Sequence, residues 1–81
     1  SVAPIETKIW VQVGAFRVKT SAATVLSKIK GVGPGEVSTF NHLGKRLYRV
    51  RLGPFDDVAT ADSMLEKIVN TGFTGARIVV D

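Results

Sequence analysis

The chain contains an internal repeat, and no other feature limits its fold so tightly. Residues 9–29 laid on residues 48–68 match at Val11/Val50, Gly14/Gly53, Phe16/Phe55, Ala22/Ala61, Leu26/Leu65, Lys28/Lys67 and Ile29/Ile68. Composition by itself would give roughly one or two such identities over that length. Within each copy the apolar spacing changes from period two to period 3.6, so each copy reads as a strand followed by a helix.

Taken in order, residues 1–7 read as the end of a linker, because Pro4 disfavours a central strand. Residues 8–14 alternate, with Ile9, Val11 and Val13 on one face and Trp10, Gln12 and Gly14 on the other. The run Gly14-Ala15-Phe16 ends this strand. Residues 20–30 place Ala22, Val25, Leu26 and Ile29 on one side of a helix, with Thr20 or Ser21 as N-cap and Gly31 at its close. Residues 31–35 are a connector: the glycines follow a helix, and Pro34 removes an N–H that a phosphate-binding loop needs.

Residues 36–42 suit an edge strand, with Val37 and Phe40 facing opposite ways. A hairpin turn containing Gly44 leads into residues 47–52, where Tyr48, Val50 and Leu52 alternate with Leu47, Arg49 and Arg51. Gly53-Pro54 ends that strand and Phe55 anchors the turn. Asp56 or Asp57 caps a second helix with the stripe Val58, Ala61, Met64, Leu65 and Ile68, closed by Gly72. Residues 76–80 form the last strand, with Ala76, Ile78 and Val80 on one face and Arg77 and Val79 on the other.

The order is βαββαβ, and two β-α-β units of this kind make an α+β, split-βαβ (ferredoxin/RNP-like) fold. Right-handed crossovers place strands one and three side by side in a four-stranded antiparallel sheet, with both helices on one face. The repeat assigns Val11, Val13, Val50 and Leu52 to the helix-covered face. Trp10, Gln12, Leu47, Arg49, Arg51 and Arg77 are therefore expected on the open face.

At 81 residues the chain is one small domain, residues 8–81, and the start at Ser1 suggests a piece of a longer protein. It has no cysteine, so disulfides and thiolate metal sites are excluded. The net charge of +4 favours an anionic partner. No run of the sequence is long and apolar enough for a membrane span.

The chemistry is concentrated on the open face. A bare Trp10 invites a flat partner, Gln12 offers a donor and an acceptor, and Arg49 and Arg51 present planar forks suited to carboxylates or phosphates. Catalytic readings fail. His42 is the sole histidine, Asp56 and Asp57 suit capping, Glu36, Asp62 and Glu66 fall on exposed positions, and no nucleophile–base or metal-ligand spacing occurs. No cofactor or metal is expected.

The paired motifs Trp10-Val11-Gln12-Val13-Gly14-Ala15-Phe16 and Tyr48-Arg49-Val50-Arg51-Leu52-Gly53-Pro54-Phe55, each followed by an alanine-bearing helix, resemble the SPOR domain (sporulation-related repeat). The likeness extends from about Ile9 to Val80. It implies the same βαββαβ fold and a non-catalytic module that binds peptidoglycan; separately, a monomer is expected. The implied ligand is glycan strand stripped of stem peptides, at the division septum in the periplasm of a bacterial envelope. The family's strand-one glutamine falls on Gln12 and its strand-three arginine on Arg49. Ala15 stands where some members have serine, and Leu47 where some have an aromatic. Trp10 is expected to supply stacking in its place, and a last-strand contact falls at Arg77. The parent is expected to resemble a septal lytic transglycosylase of the rare lipoprotein A type, with an amidase or a division protein as equal alternatives.

Free lactyl carboxylates on the stripped strand suit Arg49 and Arg51. Two rivals use the same fold. Single-stranded RNA binding needs stacking rings on strand three, where Arg49 and Arg51 stand. A small-molecule or dimerisation domain needs an apolar open face, which the two arginines oppose.

Overall fold

The computed structural model describes residues 8–81. The linker expected over residues 1–7 lies outside them. The elements are β1 (Ile9–Phe16), α1 (Lys19–Ile29), β2 (Gly35–His42), β3 (Lys45–Phe55), α2 (Val58–Asn70) and β4 (Arg77–Val80). The sheet order is β2-β3-β1-β4, all neighbours antiparallel, so the two repeat-bearing strands lie at the centre. This is the α+β arrangement expected from the repeat.

The residues shared by the two copies make the core. Val11, Val50, Ala22, Ala61, Ile29 and Ile68 are all fully buried, and Val13, Leu52, Ile9 and Phe55 complete the cluster. The alanines let each helix axis approach the sheet closely, and the isoleucines fill the far end of each contact. Full burial of one such aliphatic side chain contributes about 1.5–3 kcal/mol.

Two β-bulges interrupt the central β1–β3 ladder. Pairing runs Ile9↔Phe55, then Val11↔Leu52 and Gln12↔Arg51, then Gly14↔Val50 and Ala15↔Arg49. One extra residue therefore lies on β3 near Gly53 and one on β1 near Gly14, equivalent places in the repeat. The offsets cancel and the strands stay in register at both ends. The β1 bulge also changes faces. Strict alternation puts Ala15 under the helices; beyond the bulge it stands opposite Arg49, on the open side.

Several boundaries differ from expectation. β1 continues through Phe16, and β3 runs from Lys45 through Gly53-Pro54 to Phe55. Gly and Pro do not end the strand because they occupy the bulge, where the ladder is already interrupted. The Gly53 N–H is instead taken by the Pro34 carbonyl at 3.0 Å. α1 starts at Lys19 with Val18 as an N-cap that offers no side-chain bond, so neither Thr20 nor Ser21 caps it. Its first turn closes on the Val18 carbonyl, which accepts from Ser21 and Ala22. The end of α1 is capped by Lys30 in a helical conformation, not by Gly31. Asp57 does cap α2, and β4 starts at Arg77 because the Ala76 N–H is held by Phe73 in a turn.

At the end of α2 the N–H of Phe73 reaches the Ile68 carbonyl and that of Gly72 the Val69 carbonyl. This paired closure requires Gly72 at φ 116°, where a side chain would be strained.

Candidate functional site

The uncovered face is organised in rows that follow the antiparallel register. Glu36, Arg51, Gln12 and Arg77 form one row across all four strands. Ser38, Arg49 and Ala15 form the next, and Phe40 pairs with Leu47 beyond it. On the other side of the first row, Trp10 pairs with Val79. The six residues expected on this surface, Trp10, Gln12, Leu47, Arg49, Arg51 and Arg77, belong to one face, and the β1 bulge adds Ala15, the seventh candidate site residue, to it. Their accessibilities differ sharply.

Trp10 is not bare. It is 7% exposed, and the Arg51 guanidinium lies 3.9 Å from its ring centroid. Gly53 lies against the indole as well: a Cβ on it would sit 3.2 Å from Trp10 Cε3. The expectation of a free stacking surface is therefore corrected, because a cation occupies the ring face.

Arg51 is not free either. It is 5% exposed. Its Nη2 donates to Glu36 Oε1 and its Nη1 to Asp81 Oδ2, each at 3.0 Å. Glu36 comes from one edge of the sheet and Asp81 from just past the other, so this guanidinium joins both margins across the centre. The Trp10 indole N–H and Arg51 Nε have no partner among the described residues. Three charges meet here, and one positive group is shared by two negative ones.

Arg49 differs. Its Nε donates to Ser38 Oγ at 2.9 Å, and its guanidinium stands 5.3 Å from the centroid of Phe40. Its Nη1 and Nη2 groups make no hydrogen bond among the described residues. Ala15 opposite adds no bulk, and Leu47 next to it on the strand is half-buried. Gln12 is half-buried between Arg51 and Arg77, and Arg77 is exposed.

Four residues of this surface escaped the sequence reading: Glu36, Ser38, Phe40 and Asp81. Three were within reach. A two-residue turn at Leu43-Gly44 pairs His42 with Lys45 and then, two by two, Phe40 with Leu47, Ser38 with Arg49 and Glu36 with Arg51. Asp81 had no such signal, since its approach to Arg51 spans 30 residues.

Among the described residues no three His, Asp or Glu side chains converge as metal ligands. No helix is long and apolar enough to cross a membrane. An open sheet whose central Arg49 keeps both Nη groups unpaired among the described residues suits a binding module.

A SPOR domain profile matches residues 6–78, and the chain belongs to that family. Two solved structures are similar. The SPOR domain of RlpA from Pseudomonas aeruginosa superposes with a TM-score of 0.79 at 27% identity, covering 88% of this chain and 96% of that one. The peptidoglycan binding domain of the B. subtilis cell wall lytic enzyme CwlC gives a TM-score of 0.75 at 27% identity, covering 100% of this chain and 98% of that one. No curated protein sequence matches. As a SPOR domain this is a non-catalytic unit.

Proposed function

We propose that this domain binds peptidoglycan, specifically glycan strands that have lost their stem peptides, and so brings its parent protein to the division septum in the periplasm. The observation that carries the reading is Arg49: a guanidinium at the centre of an open sheet, held in place, with both terminal nitrogens unpaired among the described residues. Family membership and the peptidoglycan-binding CwlC domain support it.

The chemistry follows from the ligand. Removing a stem peptide frees the lactyl carboxylate of muramic acid, and the Nη pair of Arg49 is a planar fork that matches it. An intact peptide removes that charge and adds bulk over a flat surface, so charge and steric exclusion select the stripped strand. Gln12 is suited to N-acetyl or hydroxyl groups, Arg77 extends the cationic surface, and Ala15 and Leu47 leave room for a sugar ring. Trp10 and Arg51 form the floor on which these residues stand. Burial of Trp10 removes the aromatic platform that single-stranded RNA binding would need on β1.

Co-sedimentation with purified peptidoglycan, before and after amidase digestion, tests the reading. Binding rises after stripping; equal or lower binding sinks it. RNA binding without glycan binding would replace it with the nucleic-acid alternative.

A further inference from the structure

The two central arginines share one construction. Each guanidinium lies over an aromatic ring: Arg51 over Trp10 at 3.9 Å and Arg49 over Phe40 at 5.3 Å. Each is also held by a residue of β2, Glu36 in one case and Ser38 in the other. They differ in their terminal nitrogens. Those of Arg51 carry two carboxylates from the protein itself, one on Nη2 and one on Nη1. Those of Arg49 carry none among the described residues. Arg51 therefore shows, inside the same molecule, what an arginine seated on this face accepts.

We infer that Ser38 and Phe40 are positioning residues for Arg49, and that the group they prepare it to take is a single ligand carboxylate. The inference rests on the functional reading above and names the group that the site recognises. Ser38 Oγ occupies Nε, so the side-on fork of Nε with one Nη is closed and the end-on fork of Nη1 with Nη2 is the one presented. The Phe40 ring limits rotation of the guanidinium plane. A free arginine side chain loses rotamer entropy when a ligand orders it, and here most of that ordering precedes binding. Lysine at this position has neither the Nε contact nor the fork.

The site also counts carboxylates. Arg51 is already paired with Glu36 and Asp81, and the Glu36 carboxylate, one row from Ser38 on β2, opposes a second anion beside Arg49. Arg49 thus takes one muramic carboxylate at a time.

Two measurements on the chain decide this. The first is the affinity of wild type, S38A, S38T, F40A, F40L and R49K for amidase-stripped glycan strands, and for the same strands with lactyl carboxylates reduced to alcohols. The wild type prefers the carboxylate form by about 10-fold or more, the range expected of a hydrogen-bonded charged pair. S38A, F40A and F40L each lose most of that preference while their affinity for reduced strands changes little, S38T retains it, and R49K loses the preference. Wild-type preference in S38A and F40A overturns the inference. The second, ligand-free, is the Arg49 Nε–H signal in a side-chain 15N–1H spectrum. It is protected and sharp in wild type and S38T and broadened in S38A; no change in S38A overturns the positioning role. Failure of the wild type to bind any strand instead defeats the functional reading, while the Nε–H signal still decides whether Ser38 holds Arg49.

Discussion

The Arg51 guanidinium covers the Trp10 indole at 3.9 Å while Glu36 and Asp81 occupy its two terminal nitrogens. Arg49, two residues earlier on the same face, has Ser38 and Phe40 but no carboxylate among the described residues. Neighbours on one strand thus differ: Arg51 joins both margins of the sheet, while the Nη groups of Arg49 are free among the described residues.

Stability should separate the two. Arg51→Ala removes the cap of Trp10 and leaves the Glu36 and Asp81 carboxylates facing each other. Those carboxylates are 46% exposed and recover water, so the loss stays below that of a fully stranded buried charge, about 2 kcal/mol. Trp10 fluorescence should move to longer wavelength in the folded variant. Arg49→Ala should stay within about 0.5 kcal/mol of wild type in urea unfolding.

Binding should give the reverse ranking for the ligand face. Arg49→Ala and Gln12→Ala are expected to weaken binding to amidase-treated peptidoglycan by about 10-fold each, with thermal midpoints nearly unchanged. A large drop in midpoint for either would mean that its side chain is structural.

The ion cluster should be non-additive. One carboxylate suffices to neutralise Arg51, so Glu36→Gln or Asp81→Asn should each cost about 1 kcal/mol or less. The double variant strands a buried cation, and its loss should exceed the sum of the two by about 1 kcal/mol. Strict additivity in chemical denaturation would show that the two bridges act independently.

Asp57 gives a pH signature. Its carboxylate accepts from the Thr60 backbone N–H at 2.7 Å and from the Thr60 hydroxyl at 3.0 Å, and these bonds, the backbone one first, hold its pKa below the ordinary carboxylate value. A depressed folded pKa means stability that is present above the unfolded pKa and lost as pH falls through the folded one. Asp57→Ala should therefore lower the thermal midpoint by a few degrees at neutral pH. The gap to wild type should close as pH falls below the usual aspartate range. A gap that persists at low pH would assign the cap to something other than the charge.

The β2–β3 turn is open to improvement. Leu43 and Gly44 have φ of 51° and 76°, and Leu43 is 88% exposed. A turn with two positive φ angles favours Asn-Gly, and a leucine there carries strain without burial. Leu43→Asn should stabilise the domain by about 0.5–1 kcal/mol, read as a higher midpoint. A lower midpoint would mean that Leu43 makes a contact the exposed turn does not reveal.

Much of this molecule was legible in its sequence. The repeat determined element order, the central pair of strands and the core, because a side chain's face follows from local periodicity and both copies must bury the same positions. The same alternation put Trp10, Gln12, Arg49 and Arg51 on the open side. Periodicity does not say which side chains are neighbours across strands. Glu36 reaches Arg51 from 15 residues away and Asp81 from 30, and only the assembled sheet brings them together. For the same reason Ala15 changed sides, since a bulge is a property of a paired ladder and not of one strand. Two arginines that look alike in sequence thus become a buried clamp and a side chain whose Nη groups are open among the described residues. Tertiary structure made that decision, by supplying Arg51 with charges to neutralise it and Arg49, among the described residues, with a hydroxyl and a ring to hold it still.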